Sequence, residues 1–160
     1  MTDDPPLNPL KVFTGSDASA ALILVDGQRY LMQLRDDIPG IFAPGCWGLF
    51  GGAVNDGESH LEGLRRELRE EIEMEADEAT YFTSFDIDFS FAGLGVYKRQ
   101  YFVVPCPSSV LPTLRVHEGQ DMKAFTFEEI EALPNVAPYD SFAIWLHANQ
   151  EWLGPGKGGS

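Results

Sequence analysis

Two apolar stretches, Ala20 to Val25 and Arg29 to Arg35, flank Asp26-Gly27, which predicts a β-hairpin closed by a tight turn. The next segment, Asp36 to Cys46, carries two Pro-Gly pairs and reads as a long loop ending at a short strand, Trp47 to Phe50. The period then changes. Leu61, Leu64, Leu68 and Ile72 recur three and four residues apart, the buried stripe of an amphipathic helix, and Ser59 with Glu62 has capping-box spacing at its start. Partial alternation through Phe82, Phe85, Ile87, Phe89 and Phe91, then Tyr97 to Val104 beyond the turn Gly93 to Gly95, predicts two antiparallel strands. Val116 to Gln120 lead into a last strand, Lys123 to Phe125. Thr126 to Leu133 follows as a short acidic helix capped by Thr126 and Glu129, and Asp140 to Trp152 as a packing helix with Asp140 or Ser141 at its N-terminus. Strands on both sides of one central helix, with another helix at the end, imply an α/β fold with a mixed sheet covered on two faces.

At 160 residues and 44% hydrophobic content the chain can bury one sizeable core, so a single domain is expected over 18–153, between a lead-in at 1–17 and a tail at 154–160. The net charge of -14 argues against a nucleic-acid polymer or an anionic membrane as partner. A small phosphate-bearing ligand stays compatible, because divalent cations reverse the local field in a carboxylate-lined site. Cys46 and Cys106 are too few and too far apart for a disulfide framework or a zinc site, so a reduced, cytoplasmic setting is expected. No stretch approaches membrane-spanning length, and MTDDPPLNPL lacks the apolar run of a secretory signal. The pattern does not fix an oligomeric state, and a homodimer is compatible with it.

Charge placement on the central helix adds chemistry. Glu67, Glu70 and Glu71 occupy an arc roughly 110° from the leucine stripe. Like charges at these spacings repel by a few tenths of a kcal/mol per pair, so something should compensate them. Magnesium would do so, since it takes hard oxygen ligands from a few carboxylates and keeps positions for phosphate. The rival reading, the solvated face of an acidic helix, is equally consistent with the helix alone.

The whole segment GAVNDGESHLEGLRRELREEIEM, Gly52 to Met74, separates the two. It resembles the Nudix box, Gly-x5-Glu-x7-Arg-Glu-U-x-Glu-Glu-x-Gly-U, where U is a bulky aliphatic residue. Gly52, Glu58, Arg66, Glu67, Leu68, Glu70, Glu71 and Met74 all fall in register. Chance agreement somewhere in such a chain is on the order of 10⁻⁵ to 10⁻⁶ at ordinary residue frequencies. The order of surrounding elements is also similar to the family's α/β/α sandwich, a mixed sheet between helices. Two positions depart from the pattern: Glu73 stands where the family has glycine, and Phe50 where many members have proline. A non-glycine left-handed turn at Glu73 would cost roughly 1 kcal/mol, unless the helix runs on.

The resemblance implies a divalent-metal-dependent pyrophosphohydrolase, using Mg2+ with Mn2+ as a substitute. Its substrate would be a nucleoside diphosphate linked to another moiety, a small-molecule nucleotide, and water would attack one phosphorus. Glu67, Glu70, Glu71 and the Gly52 carbonyl are the implied metal ligands. Glu58 and Arg66 pair within the site, and Glu118, in HEGQ, sits where several members place a further acidic ligand or base. Arg35 is a candidate phosphate contact because arginine suits bidentate recognition. Trp47, Phe50, Tyr97 and Tyr101 are candidates for a base-stacking surface, with core packing as the competing role. His60, His117 and His147 suggest no metal cluster.

Two rivals remain: a non-catalytic Nudix-fold nucleotide-sensing module, usually marked by loss of the helical acids, and an isopentenyl diphosphate isomerase. The second fails because Cys46 precedes Trp47, whereas that enzyme's cysteine follows the matching tryptophan. Ser90 stands where many ADP-ribose enzymes carry proline, and the run PGCWGLFGG is similar to that of GDP-mannose hydrolases and compatible with nucleoside triphosphate pyrophosphatases, so a nucleotide sugar or a nucleoside triphosphate is favoured.

Overall fold

A computed structural model describes residues 17–93 and 95–154. Most of the expected lead-in and tail lies outside the described residues. Strands β1 (Ala18–Val25), β2 (Arg29–Leu34), β3 (Trp47–Gly48) and β4 (Phe50–Ala53) precede helix α1 (His60–Ile72). Then come β5 (Thr80–Asp88), β6 (Val96–Cys106), β7 (Asp121–Phe125), α2 (Phe127–Glu131), α3 (Pro138–Ala148) and α4 (Gln150–Leu153). They form one seven-stranded sheet with the path β3-β2-β1-β6-β5, while β4 also pairs with β1 and β7 with β2. Only the β1–β6 pairing among these is parallel, which makes the sheet mixed.

The central strand β1 is apolar at nearly every position because both of its faces are covered. Ala21, Ile23 and Val25 join Leu64, Leu68 and Ile72 of α1 in one core. Ala20 and Leu22 join Tyr101, Ile130, Ala143 and Ile144 in the other, beneath α2 and α3. The hairpin turn between β1 and β2 has positive φ at both Asp26 (51°) and Gly27 (69°), the twist-matched geometry that Asp-Gly favours.

Several boundaries differ from expectation, and each has a local cause. The strand expected at Trp47 to Phe50 is two, one pairing with β2 and the other with β1. The last helix begins earlier, with Pro138 in its first turn and no side-chain cap. Asp140 is not a cap; it is buried inside the protein. That helix also breaks at Asn149 instead of running on to Trp152. Helix α1 stops at Ile72: Glu73 is left-handed (φ 56°, ψ 35°) despite its side chain, and its N–H donates to the Arg69 carbonyl at 3.0 Å. Buried Met74 follows, with its N–H bonded to the Leu68 carbonyl.

Candidate functional site

Helix α1 is set on the sheet from its first residue. Ser59 and Glu62 make the reciprocal capping box, and the Ser19 hydroxyl on β1 donates to the His60 carbonyl at 2.9 Å. With the leucine stripe buried, the acidic arc is turned toward the β4 edge and the loops beside it. Two glycines there allow a close approach. A Cβ on Gly51 (φ 146°) would lie 2.0 Å from the Ser19 carbonyl oxygen, and one on Gly52 would lie 2.6 Å from the Glu67 carboxyl carbon. Helix and strand therefore meet backbone to carboxylate.

The three helical acids line one cleft of about 420 Å³ but differ in environment. Glu71 is only 3% exposed and accepts the Gly51 N–H at 3.1 Å. Burial above all, then the negative charges of Glu67 and Glu118, push its carboxyl from 4.5 up to about 8, against the opposing effects of the Gly51 bond and Arg99. Burial also raises Glu67, partly offset by Arg66. Glu70 is exposed.

Arg66 ties the acids together. Its guanidinium donates to both Glu58 oxygens (2.9 and 3.1 Å), to Glu67 (2.9 Å), to Glu70 (3.2 Å) and to the Ala53 carbonyl (2.9 Å). The Arg66 bonds, with the Asn55 N–H, hold the Glu58 carboxyl below the usual range. Among the described residues no three His, Cys, Asp or Glu side chains are gathered closely enough to hold a metal as they stand. The donor set itself suits a hard cation: several carboxylate oxygens in one cleft, two of these groups desolvated enough to resist carrying their charge unaided.

The opposite wall comes from distant segments. Glu118 is exposed on the loop before β7 and lines the same cleft. Arg35, just past the end of β2, also lines it and donates through Nε to the Phe42 carbonyl at 2.8 Å. Ile41, Phe42, Tyr97, Arg99 and Tyr139 complete the wall. Of the four aromatics expected as a stacking surface, Phe50 and Tyr101 are fully buried core residues. Trp47 packs edge-on against Phe125, and Tyr97 alone of the four reaches the cleft. His60 lies 3.6 Å from Asp17, and His147 meets the Tyr30 hydroxyl at 2.7 Å.

Arg99 was not singled out in the sequence, and Asp140 was expected only as a helix N-terminus. Arg99 Nη2 sits 3.2 Å from Asp140 Oδ1, with both side chains almost wholly buried. Asp140 Oδ2 accepts the Leu49 N–H at 2.9 Å, and Tyr101 donates to Oδ1 at 3.3 Å. The Arg99 guanidinium lies over the Tyr101 and Tyr139 rings. Strand periodicity held the signal: Arg99 shares the inward face of β6 with Tyr101, where a charge demands a partner.

The NUDIX domain family model matches residues 15–146. The chain belongs to the Nudix family. Over 51 residues it is 51% identical to the nucleoside triphosphatase NudI of Escherichia coli, an alignment spanning 32% of this chain and 35% of that protein. The solution structure of the E. coli ORF135 protein is similar over 89% of this chain and 94% of its own, with 28% identity and a TM-score of 0.69. The NUDIX domain of Shewanella oneidensis NrtR, solved with ADP ribose, shares the fold at 17% identity and a TM-score of 0.66, over 89% of this chain and 92% of its own. The sheet between α1 on one side and α2 and α3 on the other is thus the Nudix α/β/α arrangement. No helix among the described residues is long and apolar enough to cross a membrane.

Proposed function

We propose that residues 18–153 form a hydrolase domain that cleaves the phosphoric anhydride of a nucleoside diphosphate linked to another moiety. The observation that carries this is the buried Glu71, placed beside Glu67 and within the field of Glu118 in one cleft with Glu70. A purely structural acidic helix face would turn such groups to water. Glu67, Glu70, Glu71 and the Gly52 carbonyl are the groups that would hold Mg2+, or Mn2+ in its place. When bound, the cation supplies neutralisation of charge on the anhydride oxygens. Arg66, braced by Glu58, orients Glu67 and Glu70. Arg35 contacts a phosphate. Glu118 takes the proton as the oxygen of water bonds to one phosphorus, and the bridging oxygen leaves with the bonding pair.

Of the two favoured substrate classes, the name of NudI supports a nucleoside triphosphate over a nucleotide sugar. The deciding experiment incubates purified protein with magnesium and four groups of substrates: nucleoside triphosphates, nucleotide sugars, dinucleoside polyphosphates and ADP-ribose. Release of a nucleotide product from one group, abolished by chelator, supports the proposal. Binding without turnover in every group would move the nucleotide-sensing reading ahead.

A further inference from the structure

The segment that carries Glu118 is anchored at both ends. On one side, the backbone N–H groups of Arg115 and His117 donate to the Ile72 and Glu71 carbonyls (3.2 and 2.8 Å), two of the acceptors that the end of α1 leaves unpaired. On the other, Gln120 donates its backbone N–H to the Leu34 carbonyl (2.8 Å) and its side-chain amide to the Arg35 carbonyl (3.0 Å). Between them Gly119 (φ 85°) passes so close to β2 that an added Cβ would lie 2.8 Å from the Leu34 oxygen. Glu118 sits at the crest of this strap, directly after the His117 anchor and two residues before the Gln120 anchor.

Glu73 adds a side-chain lock that glycine at that position would lack. Glu73 is left-handed at the helix end, and its carboxylate Oε2 meets His117 Nε2 at 2.8 Å. A neutral imidazole carrying its proton on Nε2 suffices for this bond. The contact joins the residue that ends the helix of Glu67, Glu70 and Glu71 to the residue before Glu118.

We infer that Glu73 and His117 form a clasp that positions Glu118 against the carboxylates of α1, so that Glu73 is a positioning residue in this chain. The inference rests on the role given to Glu118 above. A clasp of this kind acts on the geometry of the reacting complex, where small misplacements of a catalytic group lower turnover while substrate affinity is kept.

The test compares the parent with Glu73→Gly, Glu73→Gln, His117→Ala, Glu118→Gln and the double variant Glu73→Gly/Glu118→Gln. Two readouts are taken: kcat and KM on the substrate found in the screen, and amide hydrogen exchange at Arg115 and His117. Glu73→Gly and His117→Ala should lower kcat about five- to ten-fold at unchanged KM, and speed exchange at both amides about two- to four-fold, as suits a pair whose side chains are both half exposed. Glu73→Gln, whose amide oxygen still accepts from His117, should restore both. Adding Glu73→Gly to Glu118→Gln should cost nothing more. Parent-like kcat in Glu73→Gly alongside a loss in Glu118→Gln would overturn the clasp alone. Parent-like kcat in Glu118→Gln would overturn the role of Glu118, and the clasp with it. Should the parent turn over no substrate, unchanged exchange in Glu73→Gly would still overturn the clasp, and faster exchange would support it as a structural tie.

Discussion

Replacing Glu71 by Gln should stabilise the metal-free protein at pH 8 and leave it nearly unchanged at pH 4.5. The Glu71 carboxyl, 3% exposed, is raised from 4.5 to about 8 by burial and by its acidic neighbours. Between those values the folded state binds a proton that the unfolded chain has released, so stability falls as pH rises through this window. At about 1.4 kcal/mol per pH unit the ceiling is roughly 5 kcal/mol. Relaxation of the site and entry of water reduce it, and about 2–3 kcal/mol is the working expectation. Gln keeps the shape and an oxygen to accept the Gly51 N–H but never ionises. Glu67 is shifted in the same direction, so the quantity to read is the difference between parent and variant. Urea unfolding in chelator, at half-unit steps from pH 4.5 to 8.5, gives that difference from midpoints at constant slope. Magnesium at 100 times its dissociation constant should return about 2.7 kcal/mol to the parent and much less to the variant. Parallel stability curves for the two proteins across the window would refute the claim that Glu71 is a desolvated acid.

Four further outcomes are expected. Glu70→Gln should lower kcat by about two orders of magnitude or more on the screened substrate, while Glu62→Gln, whose carboxylate serves the cap, stays within about two-fold. Asp140→Ala should lower stability by about 3–5 kcal/mol in thermal or urea unfolding, because it leaves the Arg99 guanidinium buried without its counter-charge. Arg69→Ala, which breaks an exposed pair with Glu75, should cost under about 1 kcal/mol. Gly52→Ala should reduce kcat about ten-fold with little loss of stability, since the added methyl meets the movable end of Glu67 rather than backbone.

What was legible in the sequence was what repeats locally. The Asp26-Gly27 turn, the Ser59 and Thr126 capping boxes and the stripe of Leu64, Leu68 and Ile72 each depend on residues within a few positions, and each is found. The placement of Glu67, Glu70 and Glu71 on one arc followed from the same helical period. The rest depended on contacts between distant segments. Asp140, first in a run that looked helical, has the composition of a cap, yet its partners Leu49 and Arg99 lie 91 and 41 positions away. The parallel pairing of β1 with β6 has no local signature, although it is what brings Arg99 beside Ala18 at the cleft end of the sheet. The end of α1 was open between a longer helix and a strained turn; the loop from Arg115 to His117 decides for the turn by supplying donors to its last carbonyls.

The cleft and the cores divide the requirements of this fold unevenly. Leu64, Leu68 and Ile72 are fully buried against β1, so helix α1 is held by apolar packing that owes nothing to its charges. That independence lets the neighbouring arc keep Glu67 and Glu71 desolvated beside one another, an arrangement that opposes folding in the absence of a cation. Arg66 compensates part of it by bridging Glu58, Glu67 and Glu70, but no bond to Glu71 comes from that side chain. The least compensated acid is thus also the most buried. On the metal role proposed above, a cation entering the cleft would gain most from Glu71, and removal of that one carboxylate should cost metal affinity more than removal of exposed Glu70, a ranking that magnesium titration of the two Gln variants will read directly.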